Sequence, residues 1–156
     1  MIKIILGIVL ASSLLFSYEM DFDKNTNCLV RHIKVYKNPA WVAKIELKNG
    51  KKVFFSSPKS MFEFYFRPGK WFDVGVKNEK DFKDILVTDF KTLKAVKAKG
   101  AFYIYGTNVT GPGGDDLIAF DSYSAAETFS KKHNGKRILG FRDVSDALIR
   151  LINGRI

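Results

Sequence analysis

The sequence predicts an α+β fold: two related ββαβ-type halves with mostly antiparallel sheets, plus a C-terminal helix. Two observations carry this. The stretch 53–66, VFFSSPKSMFEFYF, recurs in degenerate form 65 positions later at 118–131, IAFDSYSAAETFSK, so that Val53 matches Ile118, Phe55 Phe120, Ser57 Ser122 and Phe64 Phe129. Each copy reads as a period-2 strand, a hydroxyl-bearing turn and a short amphipathic helix, with Met61, Phe64 and Tyr65 sharing one face in the first and Ala126 and Phe129 in the second. The remaining apolar runs are short and bounded by Gly, Pro, Asn and Asp, which suits strands joined by turns.

The chain opens with MIKIILGIVLASSLLFS, a Lys near the start followed by an apolar run too short to span a bilayer comfortably. This is the layout of a secretory signal, so residues 1–17 are expected to be removed, after Ser17 or less readily after Ser13, and the protein to be periplasmic. No Cys follows the run to take a lipid. Residues 18–27 are polar and form a flexible lead. Residues 28–36, CLVRHIKVY, suit either a helical turn or an extended segment. Cys28 and His32 share a side in both, closer together if helical.

Residues 40–57 form the clearest hairpin. Trp41, Ala43, Ile45 and Leu47 alternate with polar neighbours, and Asn49-Gly50 offers the positive φ angles of a type I′ turn. Ser57-Pro58 then starts a helix, a hydroxyl cap before Pro at the first position. An ordered surface loop follows at 67–83, then strands at 84–90 and 93–98, which close a first half over 28–99. The second half, 100–156, opens with a strand at 101–105 whose partner at 117–120 comes only after the glycine-rich loop GTNVTGPGGDD. A helix near 124–133 has Ser124 and Glu127 in capping-box spacing. A strand at 137–141 precedes a final helix at 144–152, with Val144, Ala147, Leu148, Leu151 and Ile152 on its apolar stripe.

At 156 residues the chain can bury roughly two thirds of its unfolded surface without metal or disulfide support. Its formal charge is +10, and +9 once Lys3 leaves with the signal. Export removes the case for nucleic acid, and the basic residues are dispersed, which points to a solvated surface with a weak attraction to anionic membranes or an acidic partner. A single cysteine, Cys28, cannot form an internal disulfide, so in an oxidising compartment it is buried, paired with another chain, or used. The sequence carries no nucleophile elbow, phosphate loop or HExxH pattern, and no enzymatic role is expected.

Taken together, CLVRHIKVYKNPAWVAKIELKNGKKVFFSSPKSMFEFYF, VTDF, AFYIYGTNVTGPGGDDLIAFDSYSAAETF and GKRILGF resemble the NosL family, exported accessory proteins linked to copper delivery during assembly of nitrous oxide reductase. The resemblance covers about 28–141 and rests on the order of several loose motifs. It implies two ββαβ-type halves, Cu(I) as the cargo, and a copper enzyme or copper-transport complex as partner. The family's usual C-x-x-C-G-M opening is matched at its first Cys by Cys28, but Arg31, His32 and Ile33 stand at the second Cys, the Gly and the Met. Its G-P-M-G is Gly111-Pro112-Gly113-Gly114 here, again without the Met.

Cu(I) favours thiolate and thioether donors and accepts imidazole at low coordination number. Cys28, His32 and Met61 are therefore the candidate metal ligands. Two of them also have a plain structural role open to them, Cys28 as a small buried hydrophobe and Met61 as a core residue of its helix. The alternative function is a non-metal periplasmic interaction module that kept the fold and docks through Trp71, Phe72 and the basic surface.

Overall fold

The computed structural model describes residues 18–154, so the expected signal at 1–17 lies outside the described residues. The first sheet contains β1 (Ala43–Leu47), β2 (Lys52–Phe55), β3 (Phe82–Thr88) and β4 (Ala95–Lys97) in the order β2-β1-β3-β4, with α1 (Pro58–Phe66) between β2 and β3. The second contains β5 (Phe102–Tyr105), β6 (Leu117–Phe120) and β7 (Arg137–Gly140) in the order β6-β5-β7, with α2 (Tyr123–Lys132) between β6 and β7. All pairings are antiparallel. Each half thus places its first strand centrally, its second on one side, and the strand after its helix on the other. Helix α3 (Asp146–Ile152) ends the described chain. No helix among the described residues is long and apolar enough to cross a membrane.

The two repeat serines, Ser57 and Ser122, are the N-caps of α1 and α2, each hydroxyl accepting from the amide three residues on (Ser60 and Ala125). The N-cap of α2 therefore lies two residues before the Ser124 expected from capping-box spacing; Ser122 has the extended backbone a cap needs, and Ser124 already lies inside the helix. The β1–β2 turn also departs from expectation. Gly50 has φ +87° while Asn49 is not in the positive-φ region, and Gly50 N donates to Leu47 O and Leu47 N to Lys51 O. One left-handed residue closes a three-residue loop with a glycine bulge, in place of the type I′ turn that would need two.

Helix α1 packs between β1 and β2 on one side and β6 on another, with α3 beside it. Phe62 meets Tyr103 of β5 and Phe141 at ring-centroid distances of 5.2 and 5.1 Å, and Phe64 meets Phe55 at 5.5 Å. From Pro58 to Phe64 every residue is buried, including Lys59, Ser60 and Glu63, so the helix has no solvent face over its first two turns. Strand β6 is likewise buried on both sides: Leu117 and Ala119 belong to the α1 core, Ile118 and Phe120 to a second cluster under α2 with Ile104 and Ala126. A continuous apolar run, LIAF, is what a strand covered on both faces requires.

The outer face of the first sheet is covered by the lead at 18–27. Lys44, at a position that alternation assigns to solvent, is buried there, and its ammonium donates to Glu19 O at 2.6 Å and Asp21 Oδ1 at 2.5 Å. The α3 stripe is also rotated from expectation: Ile149 is fully buried with Val144, while Ala147 is exposed and Leu151 is 43% exposed. Its main packing partner is α1, and that contact selects the narrower face.

Candidate functional site

Residues Cys28–His32 form neither a helix nor a strand but a single tight turn. His32 N donates to Cys28 O at 2.8 Å, Cys28 N donates to Ile33 O at 2.8 Å, and Asn27 bridges to Lys34. His32 closes the turn at φ +59°, the backbone region that glycine adopts most easily, and it stands where the family pattern has Gly. Leu29 N donates to Phe54 O at 2.8 Å and moors the turn to β2.

Cys28 is fully buried, and its Sγ accepts one hydrogen bond, from Arg31 N at 3.3 Å. His32 is exposed. Both nevertheless line one shallow cleft of about 270 Å³, together with Asn27, Lys52 and Phe54. Met61 is fully buried in α1 and belongs to the same apolar cluster as Cys28. The structure thus brings Cys28 and His32 to one cleft and places Met61 within the core. Among the described residues no three His, Cys, Asp or Glu side chains converge as a metal cluster. Of the aromatics expected at a docking surface, Trp71 packs inward on Phe64 at 5.5 Å, and Phe72 is 87% exposed.

Next to the turn lies a polar network that the sequence did not announce. Arg31 reaches Ser60 Oγ at 3.4 Å, Asn153 Oδ1 at 2.5 Å and Glu63 Oε2 at 3.8 Å, and Asn153 donates to Glu63 Oε2 at 3.1 Å. Lys59 donates from Nζ to Gly113 O at 3.0 Å and from its backbone amide to Asp116 Oδ1 at 2.9 Å, which also accepts from Leu117 N at 2.8 Å. Asp116 Oδ2 makes no hydrogen bond of ordinary geometry. Burial pushes the Asp116 carboxyl up to about 6, against the opposing pull of the Ser57 hydroxyl, the two amides and the Lys59 charge. Burial likewise holds the Lys59 ammonium below its usual range, helped by Arg31 and opposed by Asp116, Asp115 and Glu63.

The network ties the 28–32 turn, the head of α1, the glycine loop and the end of α3 together. A Cβ placed on Gly113 would lie 3.5 Å from Arg31 Nε. The positions at which the family pattern has its second Cys and its later Met are therefore neighbours in space, and here a guanidinium lies against a bare glycine. In sequence only the run Gly111–Asp116 hinted at this: glycines that admit close approach, followed by an acid at the start of an apolar strand.

The sequence pattern of NosL matches residues 19–149. No curated protein sequence matches the chain. Among solved structures, the copper chaperone NosL from Shewanella denitrificans superposes with a TM-score of 0.71 at 19% identity, covering 84% of this chain and 98% of that one. The apo-NosL protein from Achromobacter cycloclastes gives a TM-score of 0.48 at 23% identity, covering 69% of this chain and 87% of that one.

Proposed function

We propose that this chain, which belongs to the NosL family, is an exported accessory protein that carries Cu(I) to a copper enzyme or copper-transport complex in the periplasm, nitrous oxide reductase being the enzyme its family suggests. The observation that carries the reading is that Cys28 and His32, a thiol-bearing and an imidazole-bearing residue, bound one turn and line one cleft. The donors suit the cargo. A soft monovalent ion accepts a thiolate and an imidazole at low coordination number, and among the described residues the hydrogen bond to the Cys28 sulfur comes from the Arg31 amide. Met61, a thioether in the apolar cluster that also holds Cys28, is the proposed third ligand.

Arg31 cannot be a ligand, because its guanidinium has donors and no accessible lone pair. The site is thus reduced to few ligands on one turn. Such a site releases metal to a partner that offers more, which is what delivery requires. The protein itself performs no catalysis in this reading.

The second reading, a non-metal interaction module, is favoured by two features: the Arg31 charge stands at the place of the missing donors, and the Cys28 side chain has no exposed surface. Anaerobic Cu(I) titration of the purified protein separates the two. The copper reading expects uptake of about one Cu(I) per chain, abolished by Cys28→Ser and weakened by His32→Ala. Copper uptake by Cys28→Ser equal to the parent's removes the assigned site, and no uptake by either leaves the interaction module.

A further inference from the structure

One flank of α2 carries a groove of about 550 Å³ floored by Phe90, Phe120, Ala125 and Phe129 and flanked by Lys91 and Lys132. No acidic residue lines it, and neither flanking ammonium has an ion-pair partner among the described residues. Glu127 and Lys131 pair with each other one step around the helix, outside the groove. Asp89, near the groove floor, already accepts from the amides of Lys91, Thr92 and Asp121 and is buried.

The repeat indicates what such a groove is for. With the offset of 65 that aligns Ser57 with Ser122, the groove residues Ser124, Ala125, Thr128 and Lys132 correspond to Lys59, Ser60, Glu63 and Arg67. In the first half that face is covered. Ser60 and Glu63 meet Arg31, Glu63 meets Asn153 at the end of α3, and Arg67 donates from two nitrogens to Asp146 Oδ1, at 3.0 and 2.6 Å, at the start of α3. One helix face thus binds an amphipathic helix through a cation meeting a carboxylate, and its counterpart, with Lys132 in the place of Arg67, is bare.

We propose that the α2 groove docks a helical segment of a partner protein with the chemistry of α3: apolar side chains for the Phe90–Phe120–Phe129 floor and a carboxylate for Lys132, with Lys91 reinforcing the preference for an acidic segment. Covering the partly exposed rings of Phe90 and Phe129 supplies the attraction, and the unpaired lysines supply orientation and selectivity against basic segments.

The test uses amide chemical shifts of the full chain titrated with an acetylated peptide of residues 144–154, VSDALIRLING. Saturable shifts of Ser124, Thr128 and Lys132 are expected, with binding roughly fivefold weaker for the Asp146→Lys peptide and for the Lys132→Glu protein, and recovered when those two are mixed. The proposal is overturned by an absence of saturable shifts, by equal responses to the two peptides, or by shifts confined to α1, where the peptide would merely compete with the chain's own α3.

Discussion

Helices α1 and α2 start from equivalent serine caps, follow equivalent edge strands and lie on equivalently ordered sheets, yet one is enclosed and the other half open. Between Pro58 and Phe64 α1 is buried throughout, whereas in α2 Ala126 is the fully buried residue. The unit itself is the same. The difference lies in what was added around it: the Cys28–His32 turn, the glycine loop and α3 all gather on α1. Burial of a helix is therefore set by its neighbours rather than by its own amphipathicity, and the polar residues carried to the inside must then find partners.

The sharpest way to break this contrast is to truncate the same position in both helices. Phe62, locked among Tyr103, Phe66 and Phe141, should lose about 3–5 kcal/mol of stability on substitution by Ala. Its counterpart Glu127, paired with Lys131 on the helix surface, should show no measurable change in the same urea unfolding series. Comparable losses at the two positions would mean that the enclosure of α1 adds nothing.

A second measurement uses pH. The Asp116 carboxyl is raised in the folded protein from 3.8 to about 6, so between these values the unfolded chain has released a proton that the folded one retains, and stability falls as pH rises. Asp116→Asn removes this penalty. From pH 4 to pH 7 the variant should gain on the order of 3 kcal/mol relative to the parent, read from paired denaturation curves. A constant difference across that range would place the carboxylate in contact with water and the glycine loop off the head of α1.

The smallest effect concerns the caps. Ser57→Ala and Ser122→Ala each remove one hydroxyl acceptor, worth about 1 kcal/mol, and the buried Ser57 should cost more than the exposed Ser122 because water cannot replace it at the Ser60 amide. Equal losses would indicate that both caps are equally wet.

Much of this architecture was legible in the chain. The strands were visible as short apolar runs between breakers, the two helices as copies of one pattern, and Ser57 as the cap it proves to be, whereas the second cap, expected at Ser124, lies at Ser122. The site was legible only in part. Cys28 and His32 stood out by residue type, and the structure puts them on one turn and one cleft, but the turn's closure on a left-handed His32 was not readable from a segment that suited two conformations equally well.

Sequence by itself determined the alternation and spacing that build each half, because backbone hydrogen bonding and side-chain periodicity act over a few residues. Tertiary structure alone decided that Lys44, Lys59 and Asp116 lie inside, that α3 turns Ile149 rather than Leu151 to the core, and that Arg31 lies against Gly113. Those outcomes depend on which surfaces two distant parts of the chain present to each other. A polar side chain near the end of an element carries no local mark of whether water or another segment will cover it.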